Sequence, residues 1–187
     1  MKRTRRHPET DRVTAFHEAG HAIVAFKLNI RLKKVSIVGG EGYRGSVWHS
    51  GFIGGRPDVE TTDKMVCSAE RQVMVSLAGL ESQRRYRKSS VRNYHGHSDY
   101  QSAFNMLFRF SSRPEEVKLW LKLLQIRTRN IVESPMWWPV IEGFAALLLE
   151  KRSMTGPEAE AGIRQQLDAQ LERGASSRMG SASPKGI

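Results

Sequence analysis

Apolar positions recur at helical spacing over most of this chain, with one short interval in which they alternate as in strands. Val13, Phe16, Ile23, Val24 and Leu28 mark a first helix through RVTAFHEAGHAIVAFKLN. Thr10 and Asp11 supply its capping side chain and first-turn acid, and Asn29 suits a left-handed stop. Val35–Val38 then reads as a strand ended by Gly39-Gly40, and Ser46–His49 as a second one ahead of SGFIGG. Together they make a small sheet with room for a further strand.

The helical period returns from about Thr62 to Arg85, with Met65, Val66, Ala69, Val73, Leu77 and Leu80 inward. Ser98 caps a helix starting at Asp99 and continuing through Ala103, Met106 and Leu107 to about Phe110. Pro114-Glu115-Glu116, proline first and acids in the first turn, starts another that carries to about Val132. Ser134-Pro135 begins a helix through Leu149, and Thr155-Gly156-Pro157-Glu158 begins a last one ending near Glu172. The pattern predicts an α+β fold, mostly α, with a C-terminal helical bundle. It divides the chain into a basic flexible arm (1–9), one domain (10–173) and a small, polar, disordered tail (174–187).

Composition narrows the class. At 187 residues the chain is long enough for one ordinary hydrophobic core. No apolar run approaches the roughly 20 residues of a membrane-spanning helix, and the basic start leads into Pro-Glu-Thr-Asp rather than an apolar signal. A single cysteine, Cys67, excludes an internal disulfide and any zinc site built on two thiolates; on its helix it reads as a small packed residue. These features predict a cytoplasmic protein without a membrane span.

The net charge of +11 is concentrated in two places. Lys2, Arg3, Arg5 and Arg6 lie in residues 1–7, and Arg84, Arg85, Arg87, Lys88 and Arg92 in residues 84–92, with no acid in either segment. The remainder is nearly neutral. The second patch suits an acidic partner. Nucleic acid is disfavoured, since no recognisable nucleic-acid module is present, and oligomerisation stays open.

The chemistry is concentrated in His17-Glu18-Ala19-Gly20-His21, an HExxH motif. On a helix, residues four apart share a face, so both imidazoles reach one metal ion while Glu18 reaches its water as general base. Zinc (Zn2+) is the default ion for two imidazoles and an oxygen ligand. Gly20, costly inside a helix by about 1 kcal/mol, implies close approach by another element. The third ligand is open on spacing alone: His49, His95, His97, Asp99, Glu70 and Glu81 are candidates. A third histidine six residues beyond the motif is absent, since Lys27 stands there.

TAFHEAGHAIVAF resembles the zinc-binding helix of FtsH, the membrane-bound ATP-dependent protease. VSIVGGEGYRGSV is similar to the strand, loop and strand that follow it, and MVSLAGLESQRRY to a helix with a central small-Gly pair, here Ala78-Gly79. GHSDYQSAFNM resembles the segment carrying the family's third ligand, which implies Asp99 with Ala103 four residues on. The likeness spans roughly residues 10 to 170. Its departures include Gln83 near the family's acidic residue, Phe104 in place of a usual threonine, a short and basic loop before Asp99, and the absence of GxxxxGK[ST] and of membrane segments. The resemblance implies a zincin-like peptidase domain without its motor.

The resulting expectation is zinc-dependent hydrolysis of peptide bonds in flexible or unfolded polypeptides. His17, His21 and Asp99 hold the metal and Glu18 acts as base. Ser46, Val47, Trp48 and His49 bind the peptide as an added strand. The alternative is a catalytically silent zinc-containing binding or regulatory protein that works through its basic patches on nucleic acid or an acidic partner. An intact Glu18 speaks against it.

Overall fold

The computed structural model describes residues 8–39, 45–51, 61–91 and 97–180. Most of the arm, the SGFIGG loop after its first two residues, Arg92, His95 and the end of the tail lie outside the described residues.

Helix α1 (Pro8–Lys27) places Glu9 and Asp11 in its first turn and Lys27 in its last, matching the sign of the helix dipole at each end. It begins two residues before Thr10, because a proline fits the first turn of a helix. Asn29 ends it in the expected left-handed conformation, at φ 56°. Ala15, Ala19, Ala22, Ile23, Val24 and Ala25 are wholly buried, so α1 is central rather than amphipathic.

Its partner is α2 (Asp63–Tyr86), capped by Thr62, whose hydroxyl accepts from the Met65 amide. The two helices cross at small residues. A Cβ on Gly20 would lie 2.5 Å from Ser82 Cβ and 2.6 Å from the Ala78 carbonyl oxygen, so only glycine permits this approach. Ser82 secures the crossing by donating to the Phe16 carbonyl at 2.6 Å. Cys67 is exposed, not packed, since the first half of α2 buries only one narrow face.

Strand β1 (Leu32–Ser36) lies between β2 (Ser46–His49) and β3 (Ser153–Thr155), both antiparallel to it. The third strand is three residues with only Met154 buried, too short to reveal a period. Gly156, directly after it, presses on the Leu32 carbonyl where a side chain would collide.

The helical remainder comprises α3 (His97–Phe108), α4 (Pro114–Val132), α5 (Trp137–Lys151) and α6 (Gly156–Gly180). Phe16 of α1 stacks between Tyr86 and Trp138, joining α1, α2 and α5. Phe144, Leu121, Leu124, Ile141, Leu148 and Ile163 complete the core beneath them. Helix α6 continues past Glu172 to Gly180: Gly174 weakens a helix without stopping it, and no proline follows before Gly180. The fold is mostly helical with one small antiparallel sheet, as the sequence pattern predicts. No helix of the described residues is long and apolar enough to cross a membrane.

Candidate metal centre

His17 and His21 stand one turn apart on α1 with their Nε2 atoms 3.1 Å from each other. Asp99, in the first turn of α3, places Oδ2 3.2 Å from His17 Nε2 and 3.6 Å from His21 Nε2. Three donors around a tetrahedral ion with bonds of 2.0–2.1 Å lie about 3.3 Å apart, so this triangle fits one cation. Among the described residues, it is the group of His, Cys, Asp or Glu side chains close enough to hold a metal.

Both rings are oriented from behind. His21 Nδ1 donates to the Val75 carbonyl at 2.7 Å and His17 Nδ1 to Gln83 Oε1 at 3.2 Å. With the proton on Nδ1, each Nε2 keeps its lone pair for a metal. The rings lie against Gly79, where any Cβ would collide with both Nε2 atoms. Thus Ala78 and Gly79 serve different contacts: Ala78 meets Gly20, and Gly79 makes room for the imidazoles.

Glu18 is buried, at 5% exposure. Burial pushes its carboxyl above the ordinary value of 4.5; His17 and His21 pull it down, and Asp99 adds to the rise. The chain reaches it again at Gly45, where a Cβ would sit 2.5 Å from Glu18 Oε1. Strand β2 starts at the next residue. Burial alone would depress the His21 pKa, but Asp99, by hydrogen bond and charge, lifts it to about 9, helped by Glu18 and the Val75 carbonyl. For Asp99, burial opposes ionisation, yet its bonds to His17 and His21 hold the carboxyl well below its usual range.

The rival ligands go elsewhere. Glu70 accepts from Trp120 Nε1 at 2.8 Å, and Glu81 pairs with Arg84 and Arg129, so both serve contacts away from the imidazole triangle. His49 Nδ1 donates to the Ser50 carbonyl, His97 is exposed outside the triangle, and His95 is outside the described residues. Among Ser46, Val47, Trp48 and His49, Val47 packs on the core while Trp48 is 62% exposed. Among the described residues β2 pairs only with β1, and no other described strand lies on its far side.

The basic patch is largely engaged within the fold. Arg84 pairs with Glu81, Arg87 with Glu9, and Arg85 donates to the Val132 carbonyl at 2.9 Å while lying over Trp138. Sequence reading missed the orienting role of Gln83 and the ring contact of Gly79. Their signal was a seam of small residues, Ala78, Gly79 and Ser82, whose spacing matches the face of α1 that carries Gly20. No known family model matches this chain, and no curated protein matches it.

Proposed function

We propose that this chain is a zinc-dependent metallopeptidase acting on peptide bonds in flexible or unfolded polypeptides. The observation that supports this most is Glu18, a buried carboxylate beside an imidazole–imidazole–carboxylate triangle. That donor set is the kind that holds catalytic zinc through three protein ligands and leaves a fourth position open. A purely structural site has no use for the adjacent base.

Zinc, when bound, supplies Lewis acidity to the scissile carbonyl and to the attacking water. With the metal bound, His17 and His21 would present unprotonated Nε2 atoms to it, since Gln83 and Val75 accept the protons on their Nδ1 groups. Glu18 takes a proton from water as the water oxygen bonds to the carbonyl carbon. It then delivers that proton to the amide nitrogen as the C–N bond breaks, which returns it to the carboxylate. The substrate lies along the open edge of β2 as a further strand, on Ser46, Val47, Trp48 and His49. Gly45, bare against Glu18, brings the start of that edge to the base.

The test is Glu18→Gln. The variant should bind zinc as the wild type does and lose cleavage of an unfolded protein such as reduced, alkylated casein. Retained cleavage overturns the assignment. A zinc-loaded wild type that cleaves no unstructured substrate would favour the binding-protein reading instead.

A further inference from the structure

Gln83 uses both ends of its side chain. It is nearly inaccessible to solvent; Oε1 accepts from His17 Nδ1, and Nε2 donates to Ser90 O and Ser90 Oγ, each at 3.2 Å. Ser90 closes the single 3-10 turn Lys88–Ser90 that follows α2, and its hydroxyl donates to the Arg87 carbonyl at 2.6 Å. Arg87 in turn pairs with Glu9 on the first turn of α1, the helix that carries His17. A closed circuit therefore runs from the metal-facing imidazole through one amide to a surface turn and back to the same helix. A carboxylate at position 83 could accept from His17, but it could not donate to Ser90.

We propose that Gln83 is a positioning residue: it holds the His17 ring and tautomer, and its anchor on Ser90 makes cation affinity depend on the surface turn. The inference rests on the metal reading of His17, His21 and Asp99, and partners of metal-binding histidines typically alter affinity by about 10–100-fold.

The experiment measures Zn2+ affinity by chelator competition on the full chain, with Co2+ absorption reporting the ligand field. Gln83→Leu, which loses both bonds, should weaken Zn2+ by about 10–100-fold. Gln83→Glu, which keeps an acceptor for His17 but has no donor for Ser90, should weaken Zn2+ about as much as Ser90→Ala and less than Gln83→Leu. Ser90→Ala, at a half-buried position, should weaken Zn2+ severalfold and shift the Co2+ bands while the metal-free protein stays folded. If Gln83→Glu loses as much as Gln83→Leu, the acceptor for His17 contributes nothing, and the proposal fails. Wild-type affinity in both Gln83→Leu and Ser90→Ala also overturns it. A wild type that takes up no Zn2+ overturns the metal reading itself, and this inference with it.

Discussion

Two buried glutamates, Glu18 on α1 and Glu81 on α2, are exposed by only 5% and 3%, yet their surroundings are opposite. Glu81 accepts from Arg129 Nε at 2.9 Å and Gln125 Nε2 at 2.8 Å, and pairs with Arg84. Burial raises its pKa, but these partners outweigh it and hold the carboxyl below 4.5. At Glu18 burial prevails and the carboxyl stands above 4.5. A buried charge with guanidinium partners joins helices; one beside imidazoles costs stability, a cost that the proposed role as base would explain.

The largest effect that would separate the two sites is on turnover. Glu18→Gln should reduce peptide cleavage by about 10²–10⁴-fold, whereas Glu81→Gln should leave kcat near that of the wild type; steady-state assays at saturating zinc decide it. Equal losses in both would erase the distinction. Next comes Gly79→Ala, whose new methyl collides with the Nε2 atoms of both rings. It should lower zinc affinity by at least about tenfold, read by chelator competition, because ligand orientation fails.

Stability carries a smaller, opposite signal. Glu81→Ala should cost about 1.5–3 kcal/mol in urea unfolding, since charged hydrogen bonds to Arg84, Arg129 and Gln125 are lost. Glu18→Gln should leave the metal-free protein as stable as wild type or more so. The pH dependence follows from the signs. Because the Glu81 pKa is lowered on folding, its stabilisation is present above 4.5 and fades as pH falls through its folded value. Because the Glu18 pKa is raised, its cost is present above the folded value and disappears as pH falls toward 4.5. The gain from Glu18→Gln should therefore shrink on acidification.

The smallest effects concern His21 and the surface patch. With the His21 pKa lifted from 6.5 to about 9, its contribution to the metal-free fold is complete below 6.5 and is lost as pH rises through about 9. Zinc must displace that proton, so calorimetry in buffers of different ionisation enthalpy should register proton release at neutral pH. Arg87→Ala removes an exposed pair with Glu9 and should change stability by no more than about 1 kcal/mol.

These contrasts mark what could be read from the chain beforehand. The imidazole pair was legible because helical spacing alone brings His17 and His21 to one face. Pro114-Glu115-Glu116 announced α4 because proline and acids suit a helix start. By spacing Asp99 was only one of six candidate ligands, singled out by the family resemblance alone. Spacing does not reveal that α3 packs on α2 with its first turn at the imidazoles. The difference between Glu81 and Glu18 was hidden for the same reason: Arg129 lies 48 residues from Glu81, and only the packing of α4 on α2 joins them. Gln83 and Gly79 went unassigned because their contacts lie across a helix crossing. Even so, the small residues of that crossing were visible, and Gly20 did predict a close approach.

The most direct test of the account is the zinc content per chain, by mass spectrometry after zinc saturation and desalting, across the wild type, Glu18→Gln, His21→Ala and Asp99→Ala. The account predicts one ion in the first two proteins and none in the last two. No ion in the wild type, or one retained by His21→Ala, would contradict it.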